Sequence, residues 1–266
     1  MKKTVFIIFF LLRIGNVFAQ DTLVISKPYI PYPDTTLIFT PQNSSQLNKI
    51  SLIFLLHGWS GNYAQWNIIT NLQSYADKYK MIIVCPDGFY DSWYLDNTFE
   101  PRVQFERFFW NDLVPEILQK YKVDSTKIFI SGLSMGGHGA LMLFLKHPDF
   151  FLSAGSTSGI LDLTAFPEKW GIKKGIGNYK DFPKVWKSNS AINLLKNIVG
   201  TDKQIIFDCG TEDFSYDVNN NFRAKCRKLK IKATFISQPG NHSPQYWHNS
   251  IKAHFDFFNN LITNDE

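Results

Sequence analysis

KIFISGLSMGGHGA, residues Lys127 to Ala140, runs from β-branched and aromatic residues into Gly132-Leu133-Ser134-Met135-Gly136 and on into a helix-forming segment. The pattern is that of a serine held on a sharp strand-to-helix turn, which pushes its hydroxyl out above the edge of a sheet. The backbone of such a turn is strained, and it is tolerable only where the flanking positions carry no side chain to strike the neighbouring strand and helix. Gly132 and Gly136 leave that room. Glycine-rich loops produce G-x-S-x-G by chance, so the weight of this motif comes from the strand before it, the helix after it, and suitable partners farther along.

Outward from this elbow the chain alternates between strand and helix patterns. Strands are predicted over Ser51 to Leu56, Met81 to Cys85, Lys127 to Ser131, Ser153 to Ser158, Gln204 to Asp208 and Lys232 to Ser237. Helices are predicted over Tyr63 to Tyr79, Phe105 to Leu118, Ser134 to Lys146, Asn219 to Leu229 and Pro244 to about Asn260. Thr22 to Ser26 and Thr35 to Thr40 read as edge strands ahead of this series. Such alternation specifies an α/β fold with a doubly wound, mostly parallel sheet and helices on both faces, which binds ligands at the C-terminal ends of its strands. In the last helix Ser243 can cap, Pro244 suits the first helical position, and Trp247, Ile251, Phe255 and Phe258 share one face. Between Ile160 and Val199 lie about forty residues with Trp170 and Trp186 among them. Connections of that length are usually functional, so segment 160–199 is expected to cap or wall the cleft.

Acyl transfer by serine needs a base to take the hydroxyl proton, an anion to orient that base, and donors for the tetrahedral oxyanion. In this architecture the partners follow in the order serine, acid, histidine, with the acid in the loop past a late strand. IIFDCGTEDF offers Asp208, Glu212 and Asp213. Asp208 falls inside the predicted strand and Asp213 in the loop beyond it, so Asp213 is the choice and Glu212 the fallback. Of the six histidines, only His242, in QPGNHSP after the last predicted strand, has the position of the base. His57, His138, His147, His248 and His254 read as structural or surface residues. The oxyanion donors are expected from the backbone of Met135, which follows the serine, and of Trp59, in the loop that follows the early strand in LIFLLHGWSG.

The 266 residues suffice for one sizeable core. Hydrophobic residues make up 44% and charged ones 19%, which argues against disorder. The N-terminus, MKKTVFIIFFLLRIGNVFAQ, has a basic start, an apolar run and small residues before Gln20, and reads as a signal peptide cleaved after Ala19, leaving one catalytic domain over residues 20–266. The apolar run is far short of the ~20 residues that span a bilayer, so no stable membrane anchor is expected. Setting aside Lys2, Lys3 and Arg13 takes the 28 basic residues to 25 against 23 acidic ones, a charge of about +2, too small for nucleic-acid binding. Cys85, Cys209 and Cys226 lack metal-site spacing and are expected as buried small hydrophobes without disulfides. Nothing calls for a metal or an organic cofactor.

LLHGWSGN, SWYLDN, FERFFWNDLVPEI, GLSMGGHGALMLFLKHP, DCGTEDF and PGNHSPQYW together resemble the esterase D-like family of α/β-hydrolases. That family includes S-formylglutathione hydrolases, tributyrin-type esterases, and the acetyl xylan and feruloyl esterases of carbohydrate esterase family one. The resemblance runs from about Ser51 to the C-terminus. It implies Ser134 as nucleophile, Asp213 as acid, His242 as base, and the amides of Trp59 and Met135 as oxyanion donors. After His242 this chain reads Ser243-Pro244-Gln245-Tyr246-Trp247, where many relatives carry an aromatic residue sooner. The leading expectation is a secreted or periplasmic serine esterase acting on short acyl or aryl esters, such as those decorating plant polysaccharides, with Trp93 and Trp247 as substrate-stacking residues beside Trp59. A thioesterase of the S-formylglutathione hydrolase type, an extracellular acyltransferase and a non-catalytic carbohydrate-binding shell are the alternatives.

Overall fold

The computed structural model describes residues 20–42 and 44–263, so the expected signal segment, residues 1–19, lies outside the described residues. The strands are β1 (Gln20–Ile25), β2 (Asp34–Phe39), β3 (Ile50–Leu56), β4 (Met81–Cys85), β5 (Val123–Gly132), β6 (Ser153–Thr157), β7 (Gln204–Gly210) and β8 (Lys232–Gln238). They form one sheet in the order β1-β2-β4-β3-β5-β6-β7-β8. The first two strands are antiparallel, and from β4 through β8 every neighbouring pair is parallel. This is the doubly wound sheet that the alternation specifies.

Burial on both faces explains why the central strands are almost continuously apolar. Along β3, Leu52, Phe54 and Leu56 enter one core while Ile53 and Leu55 enter the other. The first core takes the helix after the serine, and the second takes the last helix. Helices follow the strands as α1 (Gln65–Ile69), α2 (Leu72–Tyr79), α3 (Phe105–Phe108), a π-helical turn (Phe109–Leu113), α4 (Val114–Lys120), α5 (Met135–Lys146), α6 (Ile172–Ile176), α7 (Pro183–Asn189), α8 (Ala191–Leu194), α9 (Tyr216–Lys228) and α10 (Pro244–Thr263). In α10, Trp247, Ile251, Phe255 and Phe258 face the second core as their spacing predicts, and the Ser243 hydroxyl accepts the amide of Tyr246 at 3.4 Å.

Two helices are interrupted where the sequence reading has them continuous, and β5 and α9 begin earlier than expected, at Val123 and Tyr216. The helix expected over Tyr63 to Tyr79 is two helices, because Thr70 adopts an extended conformation and Asn71 starts a new cap, its side chain accepting the Ser74 amide. The helix expected over Phe105 to Leu118 contains the π-helical turn. The three cysteines are free and buried, as expected. Segment 160–199 folds as short helices and is tied to α5 by His138, whose Nε2–H donates to the carbonyl of Asn189 at 2.8 Å. Burial drives the His138 pKa down to about 4, so the ring stays neutral.

A buried polar tie joins α10 to three strands. His254, on α10, bonds through Nδ1 to the Ser131 hydroxyl of β5 at 2.8 Å and through Nε2 to Asp208 of β7 at 2.7 Å. Asp208 also accepts the Thr157 hydroxyl of β6, which meets Ser250 of α10 at 2.9 Å. Gly155 makes the space, since a Cβ there would lie 2.5 Å from His254 Nδ1.

Candidate active site

Ser134 occupies the turn between β5 and α5 with φ 54° and ψ −116°, a conformation that L-residues avoid. The turn is held by Leu133 N–H donating to Leu56 O and Ser134 N–H donating to Thr157 O. A Cβ at Gly132 would meet the Gly136 carbonyl at 2.4 Å, and one at Gly136 would meet Leu56 O at 2.2 Å. Both positions therefore require glycine for the reason that the motif implies.

The loops after β7 and β8 bring the other two predicted residues to the serine. His242 Nε2 lies 2.9 Å from Ser134 Oγ, and Nδ1 lies 3.0 and 2.9 Å from the two oxygens of Asp213. With the Nδ1 proton donated to the carboxylate, Nε2 presents a lone pair to the hydroxyl. Burial pushes the Asp213 pKa up, but bonds and charge from His242 and donors from Ser215 outweigh it, leaving the carboxyl below its ordinary value. The Ser215 amide and hydroxyl each donate to Asp213 at 2.8 Å. The competing acids stand elsewhere: Glu212 is exposed, and Asp208 is buried in β7 against His254.

The loop after β3 passes above this group. Gly58 N–H donates to Gln65 Oε1 at 2.7 Å, Ser60 N–H to Tyr90 O at 2.9 Å, and Gly136 N–H to Leu133 O at 2.7 Å. Among the described residues, the intervening amides of Trp59 and Met135 donate to no acceptor. Gln65 fits into this loop because Gly61 lacks a side chain, since a Cβ there would come 2.7 Å from its Oε1, while a Cβ on Gly58 would come 2.6 Å from Leu133 Cδ1. His57 braces the loop from behind, with Nδ1–H donating to Gly58 O and Nε2 accepting Gly88 N–H, both at 2.7 Å.

Ser134 and His242 open into a cavity of about 150 Å³ walled by Trp59, Gln65, Trp93, Leu133, Trp170, Phe214 and Trp247. The structure thus brings Trp93 and Trp247 to the cavity with Trp59. Trp247 stands edge-on to His242, with ring centres 5.1 Å apart, and supplies from one turn into α10 the aromatic residue that the sequence lacks directly after the histidine. Trp93 is almost fully buried, and its indole N–H donates to Trp170 O at 3.0 Å. Trp170 comes from segment 160–199 and packs against Phe214, whose ring lies 4.4 Å from that of His242. Phe214 and Gln65 escape motif reading. The signal available for Phe214 is its place next to Asp213 on the acid's own loop.

The sheet order, the strained serine and the parallel β-strands converging on it define a serine hydrolase of the α/β-hydrolase class. Residues 31–258 match the family described as "Putative esterase", and the chain belongs to that family. The acetyl esterase of Caldicellulosiruptor saccharolyticus is 24% identical over 91% of this chain and 94% of its own. The S-formylglutathione hydrolase of Rattus norvegicus is 28% identical over 75% of this chain and 78% of its own. Among solved structures, the fluorophosphonate-binding serine hydrolase F of Staphylococcus aureus superposes with a TM-score of 0.79 at 21% identity, covering 91% of this chain and 98% of that one.

Proposed function

We propose that this chain is a secreted carboxylic-ester hydrolase that cleaves short acyl or aryl esters of uncharged alcohols, such as the acetyl or feruloyl esters of plant polysaccharides. In this reading Ser134 Oγ attacks the ester carbonyl while His242 Nε2 takes its proton. Asp213 holds the imidazole in the productive tautomer, and the amides of Trp59 and Met135 receive the developing oxyanion. The alkoxide leaves with the proton from His242, and a water activated by the same nitrogen then hydrolyses the acyl-enzyme. Secretion rests on the pattern of residues 1–19 alone.

The observation that carries the choice of substrate is the cavity wall. Apart from Gln65, Ser134 and His242 it is aromatic and aliphatic, and His242 is its one ionisable side chain. Glutathione carries two carboxylates and an ammonium, and burying such charges without partners is costly. A small uncharged acyl group beside a neutral alcohol carries no such cost.

The test is product release by the purified mature chain from acetylated xylan, methyl ferulate, tributyrin and S-formylglutathione, with Ser134→Ala as the blank. Serine-dependent release of acetate or ferulate from the first two supports the proposal. Preference for the glutathione thioester would overturn both the substrate class and the localisation. Added acceptor alcohol separates hydrolysis from transfer, because an acyltransferase would yield the new ester in place of free acid.

A further inference from the structure

Away from the serine, the hollow between α9 and β8 collects charge of one sign. Residues 222–232 read FRAKCRKLKIK, six of the eleven being basic and none acidic. Residues 20–266 as a whole carry only about +2, so this stretch is a local concentration of charge. Its two arginines, Arg223 and Arg227, stand about one turn apart on α9, and both line a cavity of about 230 Å³. Phe207, Ile231 and Phe235 supply apolar wall, and no Asp or Glu borders the space.

Arginine is a sparing choice in this chain, where it makes up only five of the 28 basic residues. A lysine suffices for a general field, whereas a guanidinium presents a planar fork of N–H donors that fits two oxygens of one anion. Arg102 pairs with Glu100 at 3.3 Å, and Arg107 lies 4.2 Å over the Tyr29 ring. Among the described residues, Arg223 and Arg227 pair with no carboxylate and donate no side-chain hydrogen bond. The aromatic wall places Arg223, whose guanidinium lies 5.4 Å from the Phe235 ring centre, and Phe235 packs in turn on Phe207 with ring centres 4.8 Å apart. Like charges four residues apart on a helix repel, and an anion between them relieves that repulsion. Lys225 and Lys232 are turned to Asn193 and Asp202, leaving Lys228 and Lys230 exposed where α9 turns into β8.

Size and charge select the occupant. The cavity is smaller than the roughly 300–1,000 Å³ of drug-sized pockets, so it suits a small anionic group. A carboxylate has two oxygens, which one guanidinium fork saturates, while a phosphate monoester has three acceptor oxygens and close to two negative charges for two forks. We infer that the α9–β8 hollow binds a phosphate monoester group between Arg223 and Arg227, apart from the catalytic centre. Asp213 and His242 follow the C-terminal ends of β7 and β8, whereas Ile231 and Ala233 mark the hollow at the N-terminal end of β8. An occupant therefore leaves Ser134 open to substrate.

The experiment titrates the purified chain calorimetrically with inorganic phosphate, glycerol 1-phosphate and acetate at constant ionic strength, and sediments it with vesicles of phosphatidic acid or of phosphatidylcholine. Both soluble phosphates are expected to bind roughly 10-fold or more tighter than acetate. Arg223→Gln/Arg227→Gln should weaken them by a similar factor. Lys228→Gln/Lys230→Gln, which removes the same charge from exposed neighbours, should stay within about threefold of wild type. Both variants should keep the wild-type circular dichroism spectrum. Phosphate should also shield Arg223 and Arg227 of the wild type from phenylglyoxal, read by peptide mass spectrometry, a measurement that needs no substitution. Sedimentation with phosphatidic acid alone, lost in the arginine variant, would support the site and assign a lipid headgroup to it. Soluble phosphate binding without sedimentation would support the site and assign a free ester. Equal losses in the two variants would reduce the site to a general field, and a titration without phosphate binding, or unshielded arginines, would overturn it.

Discussion

Ser131 and Ser134 lie three residues apart, and each is hydrogen-bonded to a histidine that is bonded in turn to an aspartate. Only the second set borders a cavity; Ser131, His254 and Asp208 have no exposed surface. A fluorophosphonate probe should therefore label one serine, and Ser134→Ala should abolish labelling, read by intact-protein mass spectrometry. A labelled Ser131 in that variant would contradict the assignment. Gln65 acts on the same chemistry at one remove, since its carbonyl occupies the Gly58 amide and leaves that of Trp59 free. Loss of a whole oxyanion donor costs about 10²–10³ in turnover, so a loosened one should cost less. Gln65→Met is expected to lower kcat about 10-fold on ethyl acetate with KM within twofold. A change confined to KM would mean that Gln65 only contacts substrate.

At the scale of elements, the register of α10 matters most, because the loop bearing His242 leads straight into it. Its length admits sliding, and the tie from His254 to β5 and β7 fixes one position. His254→Leu would leave one oxygen of Asp208 buried without a donor, and an unsatisfied buried group of that kind costs about 1–3 kcal/mol. Urea unfolding should show a loss of that size, while a loss below about 1 kcal/mol would show the tie to be dispensable. Elements with strong periodicity were legible: the central strands, the elbow helix and the apolar face of α10 follow from residue spacing. The positions of Ser134, Asp213 and His242 followed from their order along the chain. What the sequence did not disclose depends on single backbone choices or on distant neighbours. Nothing in the pattern around Thr70 marks it as the break between α1 and α2. Phe214 and Gln65 reach the cavity only because of how two loops fold back, which no local period records.

For the molecule as a whole, stability should depend on pH through Asp34. This residue opens β2, is fully buried, accepts the Thr36 hydroxyl at 2.7 Å, and has its other oxygen without a partner. Burial, assisted by the nearby charge of Asp87, raises its pKa from 3.8 to about 8. The folded chain keeps this proton where the unfolded chain has lost it. Stability from this group is thus fully present below pH 3.8 and falls as pH rises toward about 8, by about 1.4 kcal/mol per unit at most. Asp34→Asn should flatten the decline between pH 5 and 8 in urea titrations. Parallel curves for the two proteins would show that Asp34 is ionised in the folded state.

The positive φ at Ser134 bears on how this protein responds to selection. A residue held in such a conformation costs of order 1–3 kcal/mol, and glycine relieves most of it. Ser134→Gly should accordingly melt at a higher temperature than the wild type while hydrolysing nothing. A screen that rewards heat resistance alone would drift toward this inert form, and only one that also demands turnover would keep the serine where it is.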